Sequence, residues 1–217
     1  MTADSASINL THHFLIAMPS LEDELFAKSV VYVCEHSERG AMGLVINKPS
    51  ELSMEGLFDK VDLPLHRQDL MTAPVLQGGP VHTERGFVLH DAMVIDVSAA
   101  TDTSEAAQES AALMAVSDKE SVYASTMTIP GGLEMTTSKD VLEALSMGAG
   151  PKRVLISLGY SAWGEGQLES ELAENSWLTV GADMAIIFDT PVDQRYERAM
   201  KLLGLESWML SSDVGHS

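Results

Sequence analysis

Two apolar runs on either side of a short polar turn constrain the fold of this chain more than any other feature. Residues 29–36 are rich in β-branched and aromatic side chains, residues 37–40 form a polar turn that ends in glycine, and residues 41–47 return as a second apolar run. The pattern predicts a β-hairpin. Because both runs are apolar throughout, we expect the hairpin to be buried on both faces.

The rest of the chain combines further strands with helices. A helical turn is predicted at 21–28, helices at 53–61, 138–148, 166–175 and 193–203, and strands at 13–17, 74–77, 122–129, 153–160, 177–180 and 184–188. A second hairpin is predicted from 85–90 and 93–97. This mixture indicates an α+β fold, with a mixed β-sheet and hairpins flanked by helices.

One domain accounts for most of the length. We expect a single domain over residues 10–210, after a flexible N-terminus at residues 1–9. Residues 98–121, which are rich in alanine, serine and acidic side chains, are either an insertion or a surface helix.

The charge of the chain restricts its partners. Thirteen Lys and Arg residues against 32 Asp and Glu residues give a net charge of -19. Phosphate backbones are bound by clustered Lys and Arg, and no basic run is present, so direct nucleic-acid binding is disfavoured. A protein partner or a small ligand fits this composition better, and the oligomeric state stays open.

The compartment follows from the cysteine content and the apolar segments. The single cysteine, Cys34, excludes an intramolecular disulfide framework and fits a reducing environment. The first residues carry no signal-peptide pattern, and no apolar stretch approaches the roughly 20 residues that span a bilayer. We therefore expect a cytoplasmic protein without a membrane segment.

A serine near the end of the predicted strand 153–160 offers one catalytic hypothesis. Residues 159–163, G-Y-S-A-W, approach the nucleophile elbow G-x-S-x-G, with Asp183, Asp189 and His216 downstream in the order of a Ser-Asp-His triad. Trp163 replaces the second glycine, where it would crowd the sharp turn of an elbow. The simpler interpretation is that Ser161 is a loop hydroxyl.

A thiol beside a histidine offers a second catalytic hypothesis. Cys34 and His36 are two residues apart on a predicted strand, so regular alternation would put both on one face. A reactive thiol requires solvent access and a lowered pKa. The apolar neighbours of Cys34 favour an inert core residue instead. No catalytic residue is therefore assigned.

Neither a metal nor a cofactor is predicted. The seven histidines form no recognised ligand motif, and a second cysteine is lacking. The two glycine-rich segments, 78–80 and 148–151, do not match a phosphate-binding loop, and the second comes before a strand rather than opening a helix. Both are interpreted as turns.

Several motifs together resemble the AlgH/YqgE family. The motifs are F-L-I-A-M-P at 14–19, H-S-E-R-G-A-M-G-L-V-I-N-K-P at 36–49, G-G-P-V at 78–81, R-G-F-V-L-H at 85–90, T-S-K-D-V-L at 137–142, L-G-Y at 158–160 with Trp163, G-Q-L-E at 166–169 with Glu171, and W-L-T at 177–179. They occur in the order of the family. Ala162 stands where the family usually has glycine, and Ser161 where it commonly has alanine.

The resemblance implies more about the fold than about the function. It implies a small α+β protein of bacteria, and one member name is linked to transcriptional control, but no reaction or ligand is attached to the family. The first hypothesis is therefore a non-enzymatic regulatory or adaptor module that binds a protein or a small ligand. Its surface would be built by polar and aromatic motif residues: Glu35, His36, Asn47, Arg85, His90, Trp163, Gln167 and Glu169. If these segments converge, Arg85 would pair with Glu35 or Glu169; a buried polar network that only supports the fold is the alternative.

Two other functions stay open at this point. One is a hydrolase-like or thiol enzyme that uses Ser161 or Cys34 with His36 or His90 as its base, which requires the nucleophile and the base to lie about 3 Å apart or one water apart. The other is a DNA-binding transcriptional regulator, which the net charge of -19 disfavours.

Overall fold

Ten strands pair into one sheet in the described part of the chain. The computed structural model describes residues 9–21, 23–93 and 121–205. The strands are β1 (His13–Ala17), β2 (Val30–Ser37), β3 (Gly40–Val45), β4 (Pro49–Ser53), β5 (Pro74–Gln77), β6 (Val81–Asp91), β7 (Thr126–Ile129), β8 (Leu133–Thr136), β9 (Val154–Trp163) and β10 (Trp177–Gly181). The predicted hairpin is β2 paired with β3, as its sequence pattern indicated.

The order of the strands puts β9 at the centre of the sheet. The main path is β10-β1-β2-β3-β9-β6-β8-β7, and all of these neighbours are antiparallel. β5 lies beside β9 in the one parallel pairing among the described strands, and β4 pairs with β5. Along one edge, β9 therefore changes its partner from β3 at residues 161–163 to β5 at residues 157–158.

Six α-helices of the described residues complete the α+β fold. They are α1 (Met54–Lys60), α2 (Gln68–Met71), α3 (Lys139–Ser146), α4 (Gln167–Ala173), α5 (Met184–Phe188) and α6 (Arg195–Leu202), with a short 3-10 helix at Val192–Gln194. The hydroxyl of Ser53 caps α1 by accepting a hydrogen bond from Gly56 N at 3.0 Å. The predicted fold class, a mixed sheet with hairpins and flanking helices, is confirmed.

Alternating side chains divide the apolar residues between the two faces of the sheet. One face, called the inner face here, carries a single cluster that includes residues of both ends of the strand order, such as Phe14 of β1 and Ile129 of β7. The sheet therefore curls around this cluster. Helices α5 and α6 close it with Ile187 and Met200 among others.

The outer face carries two separate apolar clusters. The first cover packs over β1, β2 and β3 and includes Trp163, Leu168 of α4 and Trp177. The second cover packs over β5, β6 and β9 and consists mainly of α1, α2 and α3, with Phe58 and Leu145 buried in it. Since the two covers are distinct clusters, the outer face has a boundary between them.

Several local predictions differ from the structure. Residues 184–188 form α5 rather than a strand, because Asp183 Oδ1 accepts a hydrogen bond from Ala185 N at 2.8 Å and begins a helix there. A short apolar run does not distinguish the two structures by its periodicity. Residues 23–27 form a single helical turn, as predicted, in which Ala27 N donates to Asp23 O at 2.7 Å, and no longer helix follows. The predicted strand 122–129 is paired only over β7.

Other differences concern strands that the sequence pattern did not reveal. β9 continues through Ser161 and Trp163, so these residues lie in a paired strand and not in the loop after it. Strands β4 and β8 were not predicted. The predicted strand at 93–97 falls almost wholly outside the described residues, as do residues 98–120 of the segment 98–121. No helix within residues 9–21, 23–93 and 121–205 combines the length and apolar character needed to cross a membrane.

Candidate functional site

His36 is one of four predicted site residues that lie together around α4. Leu10 N donates a hydrogen bond to His36 Nδ1 at 3.0 Å, and His36 Nε2 lies 2.9 Å from Glu169 Oε1. A backbone N–H can only donate, so Nδ1 must accept, and the ring proton is then on Nε2 and is donated to Glu169. The imidazole is buried, and both of its nitrogen atoms are occupied within the protein.

Trp163 and Gln167 belong to the same region, joined through the carboxylate of Glu171, a motif residue that was not among the predicted site residues. Glu171 Oε2 accepts hydrogen bonds from the indole N–H groups of Trp163 at 2.8 Å and Trp177 at 2.7 Å. Glu171 Oε1 accepts one from Gln167 Nε2 at 3.0 Å, and Gln167 Oε1 accepts one from Gly164 N at 3.0 Å. The spacing of Gln167 and Glu171, four residues apart on a helix, was the available sequence signal.

The hydrogen bonds of this region attach α4 to the sheet. Buried indole N–H groups need partners, and a carboxylate shared by two of them holds both rings in place. The rings of Trp163 and Trp177 also meet edge to face, with centroids 6.0 Å apart. This cluster corresponds to the alternative stated from the sequence, a polar network that supports the fold.

The other four predicted residues lie elsewhere. Asn47 joins strand ends, since its Oδ1 accepts from Val30 N at 2.7 Å and its Nδ2 donates to Lys28 O at 2.8 Å. Buried His90 donates from Nδ1 to Asp91 O at 2.8 Å, and its Nε2 shares a hydrogen bond with the Thr136 hydroxyl at 2.9 Å.

Glu35 and Arg85 are both exposed. Among the described residues, neither of the expected ion pairs of Arg85, with Glu35 or with Glu169, is formed. The eight residues are thus divided between one structural cluster and several separate positions.

Ser161 does not occupy a nucleophile elbow. It lies within β9 opposite Gly43 of β3, in extended and paired backbone, whereas an elbow requires a sharp turn between a strand and a helix. Its buried hydroxyl donates to Gly78 O at 3.2 Å. The partner in that hydrogen bond is a carbonyl rather than a base, and His216 lies outside the described residues.

Cys34 and His36 lie on opposite faces of β2, contrary to the alternation assumed from the sequence. The pairing of β2 with β3 shifts between Val33 and Glu35, so Cys34 is the extra residue of a β-bulge. Cys34 belongs to the inner cluster, whereas His36 pairs opposite Ala41 of the first cover. Burial also raises the pKa of the Cys34 thiol well above its ordinary value. The thiol and the imidazole therefore do not form a catalytic pair.

An apolar cleft lies on the outer face, at the boundary between the two covers. Its volume is about 430 Å³. Phe26 and Val45 line it from the first cover, and Leu52 and Leu158 line it from the second. The cleft lies where β9 exchanges β3 for β5 as its neighbour.

The walls of the cleft include backbone from two of the sequence motifs. Lys48 comes from the I-N-K-P segment, and Gly79 and Pro80 come from the G-G-P-V segment. The two segments are joined by hydrogen bonds from Val45 N to Gly78 O at 2.9 Å and from Gln77 N to Lys48 O at 2.8 Å. Sequence reasoning interpreted these glycines only as a turn and did not assign the apolar side chains around them.

Lys48 is held in the rim of the cleft and is not a free cation. Its Nζ donates to the carbonyl oxygens of Glu24, at 3.5 Å, and Leu25. Partial burial lowers the pKa of Lys48, while the nearby Asp23 acts to raise it. The side chain therefore fixes the 23–28 segment as one wall of the cleft.

A metal site is not apparent in the described residues. No group of three or more His, Cys, Asp and Glu side chains within residues 9–21, 23–93 and 121–205 is arranged to hold a metal ion.

Comparisons with known proteins match the whole chain. A family model described as AlgH-like matches residues 14–208. A UPF0301 protein of Paracidovorax citrulli is 70% identical over 217 residues, covering 100% of both chains, and one of Polaromonas sp. is 68% identical with the same coverage.

Two solved structures resemble this one. The solution structure of the AlgH protein from Pseudomonas aeruginosa has a TM-score of 0.67 and 42% sequence identity, with 98% of each chain covered. An X-ray crystal structure of a protein from Corynebacterium diphtheriae has a TM-score of 0.63 and 18% identity, covering 94% of this chain and 92% of the other. The second similarity concerns the fold alone.

Proposed function

This chain belongs to the AlgH-like family, and we propose that it is a non-enzymatic regulatory module that binds a small, mostly apolar ligand in the cleft between the two covers. The observation that carries the proposal is the cleft itself. Its volume of about 430 Å³ lies within the range of small-molecule sites, which are predominantly apolar with a few polar groups.

The electrostatics of the cleft favour a neutral ligand. Lys48 donates to two backbone carbonyls, so its ammonium group is already committed. The lining also includes the carboxylate of Glu51, which opposes an anionic ligand. The uncharged polar side chains of Ser50, Gln77 and Thr83 can orient a ligand through hydrogen bonds without requiring it to be charged.

The position of the cleft supports a regulatory role rather than simple storage. Phe26, which lines the cleft, packs against Trp163 and Trp177, with ring centroids 6.2 Å and 5.5 Å apart. A ligand that contacts Phe26 and Leu158 would bridge the two covers and favour one arrangement of them. The tryptophan cluster would then respond to occupancy.

The state of the candidate nucleophiles supports a non-enzymatic role. The Ser161 hydroxyl donates to a backbone carbonyl, and the Cys34 thiol is buried on the face opposite His36. Nucleophilic catalysis requires an activated nucleophile with a base within reach. The free cysteine also supports a cytoplasmic location.

The test combines native mass spectrometry with NMR. Native mass spectrometry of the protein purified from its own cells is expected to reveal a stoichiometric small adduct. In parallel, 2-naphthol serves as an uncharged apolar probe, and we expect it to shift the backbone amides of Phe26, Gln77 and Leu158 and to change tryptophan fluorescence.

A matched pair of variants makes the test specific. Leu25 lies at the rim and is 53% exposed, so Leu25→Asp puts a charge at the cleft mouth without disturbing the core. Leu202, which is 41% exposed on α6, receives the same change as a control. We expect only Leu25→Asp to weaken 2-naphthol binding. The proposal would be contradicted by a mass spectrum without a small adduct together with amide signals of Phe26, Gln77 and Leu158 that do not shift with 2-naphthol.

A protein partner is the second candidate for the same cleft. The exposure of Leu25 at the rim favours it, because a large exposed apolar side chain beside a groove suits an apolar segment of another protein. A retained polypeptide in the mass spectrum, with no small adduct, would support this candidate.

DNA binding is the third possibility that the family resemblance raised. A net charge of -19 opposes it, and any control of transcription would then act through a protein. A gel-shift experiment at low salt, where electrostatic attraction is strongest, is expected to give no shifted band.

A further inference from the structure

A second cavity opens at the end of the inner cluster, on the opposite face from the apolar cleft. Its volume is about 420 Å³. The methionines Met42, Met127 and Met135 and the rings of Phe87 and Tyr160 form its base, and all five belong to the inner cluster or pack against it. The rim is polar and includes Arg85 and His82. We call this cavity the cup.

A large bulge in β6 brings the two cationic side chains to the cup. Between Val81 and Gly86, β6 advances five residues while its partner β9 advances two, from Tyr160 to Leu158. Residues 82–85 therefore project from the sheet, and their side chains are all exposed. Bulges beside binding sites commonly redirect side chains in this way.

Backbone strain at the rim accompanies the bulge. His82 has φ of 51° and Ser125, on the opposite side of the cup, has φ of 48°. Non-glycine residues rarely adopt this left-handed conformation, and strained residues persist where the surrounding structure holds them in place. The ring of His82 is held by stacking on Tyr160, with centroids 6.0 Å apart and planes 28° from parallel.

Arg85 is the arginine in the rim of the cup, and its side chain is exposed. The ion pairs formed among the described residues do not include it. The adjacent carboxylate of Glu84 lies instead 3.3 Å from His82 Nδ1. Arg85 is exposed and lies in the polar rim of the cup, above its apolar base.

We propose that the cup binds a small carboxylate with a flat apolar body. The carboxylate accepts two parallel hydrogen bonds from the guanidinium group of Arg85, the geometry that arginine and carboxylate groups favour. The apolar body rests on the methionines, whose flexible and polarizable side chains adapt to ligands of different shape. This site is separate from the apolar cleft and does not depend on the function proposed for it.

The test compares two ligands that differ only in charge. Indole-3-acetate is titrated into the isotope-labelled full chain, and indole-3-acetamide serves as its uncharged counterpart. We expect the acid to shift the backbone amides of Met127 and Thr137, at an affinity about tenfold higher than that of the amide, because a charge-assisted pair is stronger than a neutral hydrogen bond.

Two variants assign the charge preference to the cup. Arg85→Gln is expected to lower the affinity for indole-3-acetate about tenfold and to leave that for indole-3-acetamide unchanged. Arg198→Gln makes the same change at an exposed position of α6, outside the cup lining. It is expected to change neither the affinity for indole-3-acetate nor that for indole-3-acetamide. Both substituted positions are exposed, so we expect both variants to fold.

Three outcomes would overturn the proposal. They are equal affinity for indole-3-acetate and indole-3-acetamide, no shift of the backbone signals around the cup with indole-3-acetate, or an unchanged affinity for indole-3-acetate in Arg85→Gln. The amides that report on the apolar cleft are a different set. Failure at the cup is therefore distinguishable from failure of 2-naphthol to bind the cleft.

Discussion

The imidazole ring of His12 lies directly against Gly131, and this contact joins the two ends of the curled sheet. His12 precedes β1, while Gly131 is in the turn between β7 and β8, near the opposite end of the strand order. A Cβ atom on residue 131 would lie 2.4 Å from His12 Cε1. The ring is held by a 3.0 Å hydrogen bond between His12 Nδ1 and the Tyr32 hydroxyl.

Substitution of Gly131 is therefore expected to open this junction. Gly131→Ala should destabilise the protein by about 1–3 kcal/mol more than Gly132→Ala, since overpacking costs energy in this range. Gly132 is the matched control, because both glycines have positive φ but a Cβ on Gly132 would meet nothing within 4 Å. Urea denaturation measures the difference. Equal losses would mean that only the backbone conformation matters and that the His12 contact contributes nothing.

The carboxylate of Glu171 is expected to stabilise the first cover. Glu171→Gln keeps the shape of the side chain but replaces the charged acceptor that serves the indoles of Trp163 and Trp177. We expect a loss of about 1–3 kcal/mol in unfolding free energy. Glu174→Gln, at an exposed position after α4, should change it by less than about 0.5 kcal/mol. Urea denaturation, monitored by tryptophan fluorescence, measures the unfolding free energies of the two variants. Similar losses of unfolding free energy in both would argue against a stabilising role of the shared carboxylate.

Stability is expected to fall at high pH through Cys34. Burial raises the pKa of its thiol, so the folded protein keeps a proton that the unfolded chain loses above roughly pH 8.5. The unfolded state then binds fewer protons, and folding stability decreases as pH rises above that value and is unaffected below it.

Cys34→Ala isolates this contribution from other titrating groups. Tyr32, whose pKa burial also raises, remains in both proteins. The difference in unfolding free energy between wild type and Cys34→Ala should shrink by about 1.4 kcal/mol per pH unit between pH 9 and 11. Urea denaturation at several pH values tests this. Parallel pH profiles for the two proteins would indicate that the thiol reaches solvent.

The two partners of His36 should differ in energetic importance. His36→Ala leaves the buried Leu10 N–H without an acceptor and is expected to cost about 2–4 kcal/mol. Glu169→Ala removes only a half-exposed partner and should cost about 0–1 kcal/mol. Thermal and urea denaturation give both values. A cost for Glu169→Ala as large as that for His36→Ala would show that the hydrogen bond to Glu169, rather than the one from Leu10 N, holds the ring.

Local patterns predicted most of the secondary structure of the described residues. The β2–β3 hairpin, the capped helix α1 and the helix α6 that ends before Gly204 all follow from apolar periodicity and end signals. The motifs also identified the family, which the family model and the relatives confirm. The prediction of a strand at residues 184–188 was wrong, because a run of five apolar residues is compatible with a strand or a helix. The side chain of Asp183 caps a helix there.

The candidate sites were less predictable, because they depend on irregularities in strand pairing. Because of the bulge at Cys34, His36 lies on the opposite face of the sheet from the one that regular alternation predicts. The bulge before Gly86 directs Arg85 toward the cup. A bulge is defined by the partner strand, which alternation within a single segment does not reveal. Arg85 was selected from the sequence, but for ion pairs that do not form.

Fold class, family and apolar core follow from the amino-acid sequence alone, since they depend on local periodicity, turn residues and motifs along the chain. The polar residues that hold the fold together and the positions of the cavities depend on how distant segments pack against each other. Glu171 accepts hydrogen bonds from two tryptophans that the fold brings to it, and the apolar cleft lies where β9 exchanges one partner strand for another. Such relationships are created by packing between distant segments, and no single segment contains them.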